Sequence, residues 1–141
     1  MKKIFIASDH AGFNLKKSII TRFSKKLKFE DLGPLNQNKP VNYPDYAHRL
    51  CRKISKKSNN IGILVCGSGI GMSMTANKHK NIRAALCYDI KSTKLSRLHN
   101  NANVMAIGAR LVKKNVALKC VSTFLKTNFD GGRHTRRVKK I

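Results

Sequence analysis

Residues 64–74 read LVCGSGIGMSM, which ends an apolar run on Cys66 and sets Gly67, Gly69 and Gly71 at alternate positions behind it. A strand that turns through glycines into a helix exposes unpaired backbone N–H groups at the positive end of a helix dipole, a preformed pocket for negative charge. A thiol at the edge of such a pocket is in surroundings that favour thiolate. Taken alone, the same cysteine fits equally well as a small apolar residue finishing a buried strand. Three other groups have chemistry to offer: Asp9-His10 after the first apolar run, His99-Asn100 before the last strand-like run, and Arg133 with Arg137 in GRHTRRV. The two arginines stand one helical turn apart, so both guanidinium groups can reach one anion. Beside a glycine-rich anion pocket they read as a clamp for a phosphate monoester.

The glycine loop fits nucleotide chemistry poorly. GSGIGM carries Met72 where the dinucleotide fingerprint needs a small residue, and no Gly-Lys-Ser/Thr follows to make a P-loop. Asp89 lies about 20 residues on, where a ribose-binding acid would stand, but one acid at one spacing is weak support. The four cysteines form no CxxC pair and no metal-ligand spacing with histidine, so they read as reduced thiols. Cys51, Cys87 and Cys120 are expected to be structural core residues. His48 and His79 lie in lysine- or arginine-rich helical segments and are expected to be solvated.

The elements that must position these groups follow from the hydrophobic pattern. Strand-like runs occur at 3–8, 61–66, 83–89 and 103–109, with a weaker one at 29–34 stopped by Gly33-Pro34. Leu15, Ile19, Phe23 and Leu27 recur every four residues, which predicts an amphipathic helix over 12–28 with its lysines outside. Further helices are expected over 45–57, from Gly71 to His79, over 91–100, over 114–128 and in the basic segment after Gly131-Gly132. Strands and helices alternate, and the third to fifth strands are too apolar for one-sided burial. The pattern predicts an α/β fold, a parallel sheet with helices on both faces. Ligands in such folds sit beyond the carboxyl ends of strands where the strand order reverses, so loops 8–12 and 66–71 are the expected rim of a site.

The chain has 141 residues, the length of a single domain, 1–141, with a substantial core. Its N-terminal apolar run ends at Asp9, too short for a signal sequence, and no run approaches a membrane span, so a cytoplasmic protein is expected. Thirty basic residues against six acidic ones give a net charge of +24. Such a balance attracts anions. The charge is spread along both halves of the chain, and lysine far outnumbers arginine, as drift in base composition would produce. No RNA-binding signature is present and aromatic residues are few, so specific nucleic-acid binding is not expected.

Taken together, SDHAGF near the start, NYP at 42–44, CGSGIGMS at 66–73, ANK at 76–78, IRAALC at 82–87, LSRLHNNANVMAIGAR at 95–110 and GGRHTRRV at 131–138 resemble the B-type ribose-5-phosphate isomerases and the related galactose-6-phosphate isomerase subunits. The resemblance runs through essentially the whole chain. It implies a Rossmann-like three-layer sandwich on a five-stranded sheet, no metal or cofactor, and a homodimer or tetramer whose sites are shared between subunits. It also implies roles. Cys66 is the base that moves a proton between C1 and C2 through an enediolate. The N–H groups of residues 67–71, Gly67, Gly69 and Gly71 among them, hold the oxyanion with help from Ser68. His99, with Asp9 nearby, opens the sugar ring. His10, Arg133 and Arg137 hold the phosphate with Arg110, and Tyr43, Asn100 and His134 line the sugar and phosphate positions. Some relatives place a glutamate base further along the loop, but MSMTANK here contains no acid. A six-carbon sugar phosphate remains the alternative substrate, and retention of Cys66, His99 and Asp9 together favours the five-carbon one.

Overall fold

The structure, a computed structural model, describes residues 3–56 and 59–141. Its elements alternate: β1 (Ile4–Ser8), α1 (Phe13–Phe23), β2 (Phe29–Asp31), α2 (Tyr43–Ile54), β3 (Ile61–Cys66), α3 (Ile70–Ala76), β4 (Ala84–Leu86), α4 (Ile90–Leu98), β5 (Val104–Gly108), α5 (Lys114–Lys126) and α6 (Arg133–Val138). All the strand pairs are parallel, in the order β2-β1-β3-β5-β4. Successive side chains of a strand point to opposite faces, and here both faces are covered. Ile4, Ile6, Ile63, Val65 and Ile107 pack with Leu15 and Ile19 of α1 and with Cys120, Val121 and Phe124 of α5. Phe5, Ala7, Leu64 and Ala106 pack with Leu50 and Ile54 of α2 and with Met72 and Ala76 of α3. The parallel sheet between two helical layers is as expected.

Several boundaries differ, each for a physical reason. β4 is short and only half-buried, against the expectation of full burial, because it is the edge strand and pairs with β5 alone. Helix α1 stops at Phe23, and two tight turns onto the Phe23 carbonyl bring Leu27 back to the core without helix. α3 also ends early, at Ala76. α2 starts two residues before the expected position 45 and stops at Ile54, where the Ser55 N–H donates to the Cys51 carbonyl; the expected end at 57 lies outside the described residues.

The lysines of α1 are not all outside. Lys16 is fully buried, and its Nζ donates to Asp31 Oδ1 at 2.8 Å and to the Pro34 carbonyl at 2.5 Å. Burial pulls this ammonium below its ordinary value, against the raising effect of Asp31. The pair ties α1 to the segment leaving β2.

Strands β1 and β3 are neighbours whose crossovers leave to opposite sides, so the sheet opens between their carboxyl ends. Gly12 makes this junction possible: a Cβ there would lie 2.3 Å from the Val65 carbonyl oxygen. Gly12→Ala is therefore expected to cost about 1–3 kcal/mol, the range for overpacking. Denaturant unfolding measures it, and an unchanged midpoint would show that the junction yields freely.

Candidate active site

The carboxyl edge of the sheet gathers one set of groups. The Asp9 N–H donates to the Val65 carbonyl at 3.1 Å, and Asp9 Oδ1 accepts the Gly12 N–H at 2.9 Å, so a buried carboxylate braces the turn into α1. Beside it, His10 Nδ1 accepts the Val41 N–H at 3.1 Å. That bond leaves the proton of the neutral ring on Nε2, the nitrogen free to donate to a ligand.

Cys66 ends β3, almost fully buried. Its Sγ accepts the Gly69 N–H at 3.1 Å, and Ser68 Oγ accepts the Ile70 N–H at 3.2 Å. A donor aimed at sulfur stabilises negative charge on it. Gly69 holds φ of 77° at the N-cap of α3, where a Cβ would also press within 2.9 Å of the Ile107 backbone. Gly108 at the end of β5 lies against Ser68, with a virtual Cβ 2.5 Å from that carbonyl, so neighbouring strands shape the turn as much as its own glycines do. Arg110 lies over Gly67 and its N–H donates to the Gly67 carbonyl at 3.0 Å, while the Tyr43 ring rests on Gly71. Asp9, His10, Tyr43, Cys66, Gly67, Ser68, Gly69, Gly71 and Arg110 thus stand on one rim.

A second set stands at the other end. Helix α4 runs back from the carboxyl end of β4 to the start of β5, so its C-cap, His99, lies at the amino edge of the sheet. The His99 ring stacks on His134 with centroids 4.2 Å apart and planes 15° from parallel. His99, Asn100, His134 and Arg137 line a depression of about 350 Å³ together with Val138 and Ile141. Arg133 starts α6 one turn before Arg137 but lies outside this lining. The amino and carboxyl ends of β3 are separated by five steps of about 3.3 Å, roughly 16 Å. One chain therefore brings Asp9, His10 and Cys66 together, and His99, His134 and Arg137 together, but not the two sets.

Other expectations resolve structurally. Asp89 caps α4, with Oδ1 accepting the Ser92 N–H at 2.6 Å, which accounts for an acid at that position without a ribose. Burial pushes the thiols of Cys51 and Cys87 up to about 12 and about 11, as core cysteines. His48 and His79 are not freely solvated: they are half-buried, with Nδ1 of one 2.7 Å from Nε2 of the other. Among the described residues no cluster of three or more histidine, cysteine or acidic side chains could hold a metal ion. Sequence reasoning missed Arg97, which is buried and donates from Nε to the Thr127 carbonyl at 3.1 Å and from a terminal nitrogen to the Ala102 carbonyl. It ties the loop holding His99 to the segment leading into α6. A lone arginine in an amphipathic pattern carries no signal of such a task.

The family model described as Ribose/Galactose Isomerase matches residues 4–141. Ribose-5-phosphate isomerase B from Mycoplasma genitalium, solved with bound ribulose-5-phosphate, is 45% identical, with a TM-score of 0.95 over 98% of this chain and 92% of its own. A ribose 5-phosphate isomerase from Thermotoga maritima is also 45% identical, with a TM-score of 0.93 over 99% of this chain and 96% of its own. Ribose-5-phosphate isomerase B of Escherichia coli is 38% identical over 100% of this chain and 95% of its length.

Histidine environments set a pH dependence. His79 lies below the ordinary value of 6.5 through burial and the charges of His48 and Arg52. His134 is lowered by burial and by His99, Arg133 and Arg137, against an opposing pull from Asp130. The unfolded chain therefore takes up these protons first, and stability falls as pH drops through the ordinary histidine range near 6.5. Thermal midpoints are expected to decline on acidification below that point, and H79Q to flatten the decline. An unchanged slope in H79Q would remove His79 from the account.

Proposed function

The chain belongs to the ribose/galactose isomerase family, and on that premise we propose that it interconverts D-ribose 5-phosphate and D-ribulose 5-phosphate as an aldose–ketose isomerase in the cytoplasm. The observation that carries the mechanism is the Gly69 N–H donated to Cys66 Sγ inside the turn that ends β3. A thiolate so held takes the proton from C2 of the open-chain aldose. The C–H electron pair becomes the C1–C2 double bond, and the carbonyl oxygen at C1 takes the negative charge. The thiol then returns the proton to C1, while the O2 hydroxyl proton passes to O1, leaving the ketone at C2 and the hydroxyl at C1. Because the Gly69 and Ile70 N–H groups are engaged within the turn, we assign the developing oxyanion to the remaining N–H groups of residues 67–71 and the Ser68 hydroxyl.

His99, stacked on His134, is the proposed acid–base group for opening the furanose ring. Arg137 and Arg133 take the phosphate, with His10 Nε2–H and Arg110 reaching it from the other rim; Tyr43 and Asn100 line the sugar. The separation of the two rims by the length of a strand supports a homo-oligomer in which each site joins the Cys66 rim of one subunit to the His99 depression of another. Asp9 then acts on His99 across that junction. Exposed apolar side chains near the Cys66 rim, Ile70 and Met74 on α3 among them, favour such a contact.

Two experiments test this. Cys66→Ala is expected to lower turnover by about 10²-fold or more, the usual weight of a general base, while ribose 5-phosphate still binds. Near-normal turnover would remove the thiol from the proton transfer. Mixing and reassociating inactive Cys66→Ala and His99→Ala chains is expected to restore about a quarter of normal activity, since a hybrid dimer holds one intact shared site. Full inactivity of hybrids shown to form would place both groups in one subunit's site.

A further inference from the structure

An open groove of about 960 Å³ lies between the end of α3, the start of β4 and the last turn of α6. Lys78, Lys80, Arg83 and Lys139 line it together with the amides of Asn77 and Asn81. None of the six acidic residues of the chain does. The basic groups are not all idle surface charge. Arg83 is half-buried, and its Nε donates to the Asn101 carbonyl at 2.9 Å. Behind it stands Arg97, 6% exposed and also bonded to carbonyls. Among the described residues neither guanidinium has a carboxylate partner, whereas the ammonium groups of Lys3, Lys16 and Lys53 each do. Burial lowers both arginines, and the charge of Arg83 lowers Arg97 further.

Partly desolvated cations without a counter-charge are costly, and a bound anion offsets that cost. Its volume of about 960 Å³ exceeds what a single phosphate needs, and it meets the His99–Arg137 depression at Asn100, Val138 and Ile141. No phenylalanine, tyrosine or tryptophan lines it, and its one imidazole, His79, is held by His48, so it offers little for a base to stack on. We propose that this groove is a second anion site that takes a chain of linked phosphates, with Arg83 at its floor and Lys78, Lys80 and Lys139 along its walls. The chain of phosphates can come from a free oligophosphate or from the tail of a nucleoside triphosphate. The site stands on these residues alone and does not depend on the isomerase reading.

Calorimetry on the full-length protein with sodium tripolyphosphate tests it, against sodium sulfate at matched ionic strength and in the absence of sugar phosphate. Tripolyphosphate is expected to bind more tightly than sulfate. The triple variant K78Q/K80Q/K139Q, at exposed positions, is expected to weaken binding about tenfold or more, one charge-assisted contact being worth at least that much. Arg83→Gln should weaken it independently. ATP binding as tightly as tripolyphosphate, with adenosine inert, assigns the site to the phosphate chain alone; markedly tighter ATP names the nucleotide as the source. Tripolyphosphate binding no tighter than sulfate, or unchanged in both variants, overturns the proposal whatever the isomerase assay shows.

Discussion

All five strands point the same way, and that single direction governs where every reactive group stands. A loop leaving a strand lies at the carboxyl edge, and a helix that returns to start the next strand delivers its last turn to the amino edge. Asp9, His10 and Cys66 leave strands; His99 and Asn100 precede one. No side-chain adjustment spans a buried strand, so the two sets meet only if another chain supplies the second. The proposed shared site is thus a consequence of strand direction, reached without any detail of an interface.

Around Cys66, geometry is set by close backbone approach. Loop 66–71 is wedged between β1 and β5, with Gly12 against Val65 on one side and Gly108 against Ser68 on the other. Such contacts leave no room for side chains, which is why they are rigid: the turn cannot shift without moving two strands. Rigidity matters to the proposed chemistry, because a base and the donors beside it lower a barrier only when held in place before the reaction. The N–H aimed at sulfur belongs to the one residue of the turn with a positive φ in the helix-capping position.

A net charge of +24 sets few carboxylates against many basic groups. Four of the six carboxylates have structural partners: Asp9 in the turn into α1, Asp31 on buried Lys16, Asp89 at the start of α4 and Glu30 between Lys3 and Lys53. Among the described residues, the basic groups without an acidic partner include Arg110, Arg133 and Arg137, where phosphate chemistry is proposed, and Arg83 in the groove.

Much of this was legible in the sequence. The alternation of strands and helices, apolar runs buried on both faces and the glycine turn after Cys66 all follow from local pattern, because periodicity and backbone freedom are properties of neighbouring residues. The same holds for Arg133 and Arg137 on one short helix. Reading failed where a distant element decided. Lys16 belongs by pattern to a solvated face, yet Asp31 and the Pro34 carbonyl draw it inside. β4 is apolar enough for the centre of a sheet and stands at its edge. His48 finds its partner in His79, thirty-one residues away. Local pattern was enough to show which groups could do chemistry and which element carries each. Which of them share a rim depends on strand order and direction, and these are set by contacts between residues far apart in the chain.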